Sequence, residues 1–184
     1  MTGEIRHRTH GLSPSYLQVI GEIVTNWAYI EHELSNILCV MLGVSRPASM
    51  VLIPQLSTFG IVHLVKTLLL ERFPDIRTQV ETIFSEIEKG KVDRDSVAHS
   101  PWLSIVDENG NPAQAYLSQK PSRRHNAKEA KPYSVEELKE ISTLLRSAYG
   151  GLVWLTNTAK PEFRKRVFPL PLLRTEDREP DPSS

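Results

Sequence analysis

The chain is poor in the features that announce specialised chemistries. It has a single cysteine, Cys39, set in the apolar run NILCVML; this excludes an intramolecular disulfide framework and reads as a small buried hydrophobe in a reducing compartment. No uncharged apolar stretch approaches the ~20 residues a bilayer-spanning helix needs, and the opening MTGEIRHRTHG has no apolar core of signal-peptide length. A soluble, cytoplasmic protein with no membrane partner is the expectation. Charge of one sign is missing too: 22 Lys and Arg stand against 22 Asp and Glu, so no global field points to nucleic acid or membrane, and any such surface must be local. Gly-rich phosphate loops of the GxxxxGK[ST] or GxGxxG type are absent, which removes a nucleotide-driven motor and a dinucleotide enzyme. HELSN, from His32 to Asn36, begins like the zinc-protease motif, but Asn36 stands where the second histidine must be. The six histidines do not form the repeated Glu-x-x-His pairs of a di-iron bundle. Neither a metal nor a cofactor is expected.

What is present reads as helix. At 184 residues the chain is one domain's worth, long enough to bury a core. Ser13 and Pro14 suit an N-cap and first helical position. Tyr16, Ile20, Ile23, Trp27, Ile30, Leu34, Leu38 and Met41 follow at three- and four-residue steps, predicting one long amphipathic helix that ends near Gly43. A second helix is predicted from about Thr58 through IVHLVKTLLLER, bounded by Pro74. A third places Ile76, Val80, Ile83, Phe84 and Ile87 on one face, with Gly90 as its C-terminal stop.

After Pro101, WLSIVDENGNPAQAYLS alternates around Asn109-Gly110, predicting a small β-hairpin between the last two long helices. SQKPSRRHNAKEAKP has five Lys or Arg against one acid and reads as a solvated basic loop. Ser134 and Glu137 form a capping box that opens a helix with Leu138, Ile141, Leu145, Tyr149, Leu152 and Leu155 on its apolar face. Inside that helix Gly150-Gly151 implies a kink or a close backbone approach. The domain is thus residues 13–158, with the hairpin and basic loop at about 101–132, and 159–184 a Pro-rich charged tail expected to be partly disordered.

Candidate chemistry lies in KVDRDSVAHSPW, Lys91 to Trp102. Arginine offers a permanently charged planar fork for phosphate oxygens, and histidine exchanges protons near neutrality, so Arg94 and His99 together suit phosphodiester chemistry. An arbitrary Arg and His at this spacing would more often be a surface ion pair, Arg94 with Asp93 or Asp95, and a helix-ending histidine. Arg94-Asp95-Ser96-Val97-Ala98-His99 resembles the signature of the HEPN superfamily, an arginine and a histidine separated by four to six residues. The long first helix with NWAYIEHEL, the further helices before the motif, AHSPW after it and the closing long helix resemble that superfamily's arrangement over roughly 13–158. The resemblance implies a mainly α bundle of about four to five helices carrying the hairpin as an insertion.

It also implies a homodimer whose composite cleft cleaves RNA without metal, possible control by an antitoxin or regulatory protein, and a toxin or phage-defence setting. His99 would be general base or acid, and Arg94 would hold the phosphate and stabilise its growing charge. Asp95 would orient either, or serve only as a helix-capping residue. Glu31, one residue beyond the apolar face of the first helix, is a supporting candidate for which a surface salt bridge is the plainer role. A second copy is suggested by geometry as well. At ~100° per residue, positions five apart in a regular helix differ by about 140° modulo a turn, so Arg94 and His99 would point apart unless the segment leaves helical geometry or two chains complete the site. Lys120, Arg123, Arg124 and Lys128 are candidate RNA-backbone contacts, and Trp102 and Tyr116 candidate stacking platforms, with a partnerless loop and hairpin packing as the alternatives. The other functional class open at this point is a non-catalytic HEPN-like helical module that binds RNA or a protein partner.

Overall fold

Pro14–Leu42 forms one helix, α1, in the computed structural model, which describes residues 12–99, 102–106, 112–117 and 131–159. Ser13, in extended conformation, precedes Pro14, whose missing N–H costs nothing in a first turn. The helix ends where Gly43 takes φ 65°, a left-handed conformation that a side chain would strain. The N–H groups of Val44 and Gly43 there return to the carbonyls of Cys39 and Val40 at 3.0 and 3.2 Å. Ile23, Trp27, Ile30, Leu34 and Leu38 on its inner face are buried, as is Cys39.

Arg46–Leu52 is a short helix, α2, continued by a 3₁₀ turn at Ile53–Gln55. The periodicity missed α2 because Met50 and Val51 remain 63% and 70% exposed, so no apolar face marks it. Helix α3, Thr58–Arg72, starts at Ser57, whose Oγ accepts from the Gly60 N–H at 3.1 Å, and buries Ile61, Val62, Val65 and Leu69. A 3₁₀ turn at Pro74–Ile76 leads into α4, Arg77–His99.

Gly90 does not stop α4. The helix runs nine residues further and carries the whole arginine–histidine segment, because Gly90 is buried where α5, Val135–Trp154, crosses, and a Cβ there would collide with Leu145. Gly151 on α5 does the same at the other end of the crossing, where an added Cβ would lie 2.6 Å from Ile83 Cγ1. The α4–α5 pair is therefore held close by two absent side chains. The neighbouring Gly150 has open space around its Cα. Gly150→Ala should consequently stabilise by up to about 1 kcal/mol through helix propensity. Gly151→Ala should destabilise by about 1–3 kcal/mol through overpacking. Urea denaturation of both variants checks the opposite signs.

The Ser134–Glu137 capping box is formed in both directions, at 3.1 and 2.7 Å. Helix α5 lies along α1, its most extensive partner, and α4 packs on α5, α3 and α1. A π-helical turn at Leu155–Ala159 follows α5. Between α4 and α5, Trp102–Val106 (β1) pairs antiparallel with Pro112–Leu117 (β2), and Lys131–Tyr133 (β3) pairs with β2. The Asn109-Gly110 pair, the side chain of Tyr116, and the tail from 160 lie outside what is described. Tyr133 ties this element to the bundle: its carbonyl accepts from Tyr16 Oη at 2.8 Å. No single helix among the described residues is long and apolar enough to cross a membrane.

Candidate functional site

Three elements converge on one cleft of about 270 Å³: the middle of α1, the N-terminus of α3 and the last turns of α4. From α4 come Lys91, Arg94 and Asp95, which share a face because they are three and four residues apart. His99 joins them from the final residue of the helix.

Arg94 Nη1 lies 3.0 Å from Asp95 Oδ1 and 3.0 Å from His99 Nε2. A guanidinium has only donors, so both hydrogens of Nη1 are used and His99 Nε2 is the acceptor, which leaves the imidazole proton on Nδ1. This meeting corrects the helical-wheel expectation. Both residues are in regular helix and belong to one chain, yet they touch, because the long arginine side chain spans the angular offset and the exposed His99 sits at a helix end. A second copy is not needed to bring them together.

Nη2 of Arg94 makes no hydrogen bond among the described residues; Nε has none either and is buried. The guanidinium lies over the Trp27 ring, 5.8 Å from Cζ to centroid, and the side chain is 19% exposed. Trp27 is thus a platform beneath the fork.

Asp95 bonds Lys91 as well as Arg94, tying the two cations together. Burial alone would raise its carboxyl, but the Lys91 and Arg94 contacts outweigh that and hold it below the ordinary carboxylate range. A depressed native pKa gives a contribution fully present above the unfolded value of about 3.9 and lost as pH falls through the lower native one. The clamp is therefore constant across neutral pH and opens only in acid. Being 38% exposed, Asp95 contributes little to overall stability.

Glu31 is in the cleft and makes no salt bridge among the described residues. Its Oε1 accepts from Trp27 Nε1 and from Thr58 Oγ1, each at 2.8 Å, while Oε2 has no hydrogen-bond partner among the described residues. Thr58 can reach it because the Ser57 cap sets the first turn of α3 against α1.

Trp102 is half-buried, with its indole N–H bonded and its ring among other aromatic residues. Its Nε1 donates to the Val97 carbonyl at 3.0 Å, and its ring packs between Tyr16 and Tyr133, with centroids at 6.4 and 6.1 Å. It fixes the chain just beyond His99. Lys120, Arg123, Arg124 and Lys128 lie outside the described residues.

Lys91, Trp27, Thr58 and Phe59 were not among the site residues expected from sequence. Lys91 carried a signal, its spacing of three and four from Arg94 and Asp95; the others are brought in by tertiary packing. Two further clefts suit phosphate less well. One of about 290 Å³ presents Asp93, Glu137 and Glu140, which repel an anion, and one of about 420 Å³ is lined mainly by Ile83, Gly151, Trp154 and threonines. Among the described residues no three His, Cys, Asp or Glu side chains cluster as metal ligands.

Fold and cleft together define a helical bundle with an arginine–histidine site at the end of its fourth helix. Comparison with protein-family models, curated proteins and solved structures finds no match for this chain.

Proposed function

We propose that the protein is an RNA endonuclease of HEPN type that cleaves by attack of a ribose 2′-OH on the adjacent phosphate, without a metal ion. The observation that carries this is the 3.0 Å contact of Arg94 with His99 in an open cleft, with Arg94 Nη2 unclaimed. At rest Arg94 occupies the His99 Nε2 lone pair. A phosphate oxygen is a stronger acceptor than an imidazole nitrogen, so the substrate draws the Arg94 fork onto itself and releases Nε2. His99 then takes the 2′-OH proton, the 2′-oxygen bonds to phosphorus, and Arg94 offsets the charge that builds on the phosphoryl oxygens. The 5′-oxygen leaves with a proton supplied by an acid, which in this proposal is the second His99 of a homodimer. Lys91 adds positive charge beside the fork, while Asp95 keeps both cations on one face.

The β1–β3 element and the loop with Lys120, Arg123, Arg124 and Lys128 would be an insertion in the HEPN-like framework that adds RNA-backbone contacts. A toxin or defence role with an antitoxin partner belongs to the same proposal. The partial burial of Arg94 favours one alternative, a module that binds RNA or a protein through this cleft without cutting.

The deciding experiment is incubation of single-stranded RNA with the purified protein in EDTA. Products should carry 2′,3′-cyclic phosphate ends, DNA and 2′-O-methyl RNA should stay intact, and the protein should sediment as a dimer. Binding without any cleavage would leave the module.

A further inference from the structure

Phe59 stands out among the exposed aromatic residues. It is 68% exposed yet lines the same cleft as Arg94 and His99. An aromatic ring left in water at the wall of a phosphate-handling cleft requires an account, because a side chain of that size is ordinarily worth burying.

Its position is fixed on both sides. Ser57 caps α3 two residues before it, and Thr58 is bonded to Glu31 across the cleft. Behind it, one helical turn on, the His63 ring lies parallel to it, 6.5 Å between centroids and 6° between planes. The ring is held at the start of a helix, next to hydroxyl-bearing residues. The other aromatic residue of the cleft, Trp27, is 1% exposed and committed to Arg94 and Glu31, so it offers no free face.

We propose that Phe59 is the base-stacking subsite of this cleft, taking the unpaired base of a nucleotide whose phosphate is held by Arg94. This rests on the RNA interpretation of the site and names its substrate class: single-stranded RNA with a base free to leave its neighbours. A paired base keeps its faces covered within the helix, so duplex RNA is a poor ligand. Stacking uses the π-face that every base has, and Phe59 brings no hydrogen-bonding edge, so the subsite grips any base.

The test is binding of a short single-stranded oligoribonucleotide, 2′-O-methylated throughout so that the full-length wild-type protein cannot cut it, with one 2-aminopurine as a stacking reporter. Wild type should quench the reporter. Phe59→Ala should abolish the quench and weaken binding by roughly tenfold, from the 1–3 kcal/mol typical of one base–aromatic stack at 1.4 kcal/mol per tenfold. Phe59→Trp should restore both. The salt dependence of binding should not change in either variant, because no phosphate contact is lost.

Unchanged affinity and quench in Phe59→Ala would overturn the inference. If the same variant also sedimented differently from wild type, the ring would be a contact between protein chains. The two levels of interpretation separate cleanly. Cleavage that depends on His99 with binding indifferent to Phe59 removes the stacking subsite and keeps the nuclease; Phe59-dependent quenching without cleavage does the reverse. A wild-type protein that binds no RNA overturns both.

Discussion

On the proposed mechanism, His99→Ala and Arg94→Gln should each lower the rate of RNA cleavage by at least about 100-fold, since one removes proton transfer and the other the charge that offsets the developing phosphorane. The two changes should not be equivalent in the ground state. His99 is exposed at the end of α4, and its loss takes away one contact to Arg94, so RNA affinity should stay near the wild-type value. Arg94→Gln removes the fork proposed to hold the phosphate and should weaken binding as well as turnover, with a smaller slope of affinity against salt. Single-turnover cleavage of one RNA, with binding measured on its 2′-O-methyl counterpart, separates these terms. The double variant should be little worse than the slower single one, because residues acting as a unit are far from additive. Persistent cleavage by a verified His99→Ala preparation would assign the proton transfer to another group.

Trp27→Ala should have the largest effect on stability, about 3–5 kcal/mol, because the indole is 1% exposed and its removal leaves a cavity where it packed. For a domain of this size that is a fall in Tm of roughly 6–20 °C. Trp27→Phe keeps most of the volume and should fold, at a cost of about 1–2 kcal/mol. The phenyl ring loses the indole N–H, so Glu31 Oε1 keeps only Thr58, and the surface beneath the Arg94 guanidinium becomes narrower. Cleavage by Trp27→Phe should then fall by roughly tenfold while thermal unfolding followed by circular dichroism shows a folded protein. Activity equal to wild type in Trp27→Phe would mean that the platform under Arg94 is only core.

Sequence by itself determined the long helices, because each carries its own instructions in adjacent residues. Ser13-Pro14 and Gly43 bound α1, Ser134 with Glu137 opens α5, Pro74 separates α3 from α4, and the three- and four-residue steps of Ile23, Trp27, Ile30 and Leu34 or of Leu138, Ile141 and Leu145 choose the buried faces. It also singled out Arg94, Asp95 and His99, since their residue types carry chemistry in themselves. What it could not give was set by partners distant along the chain. Gly90 has the same local character whether it ends a helix or admits a neighbour, and only the arrival of Leu145 from α5 decides for the second. Trp102 became a packing residue when Tyr16 and Tyr133 met around it, and Glu31 became part of a cleft when α3 placed Thr58 within 2.8 Å. The Arg94–His99 contact was decided by the rotamer of a long side chain resting on Trp27, which an angular count along the backbone does not contain. Local patterning is read from covalent neighbours, whereas a site is made of groups that the fold brings together through space.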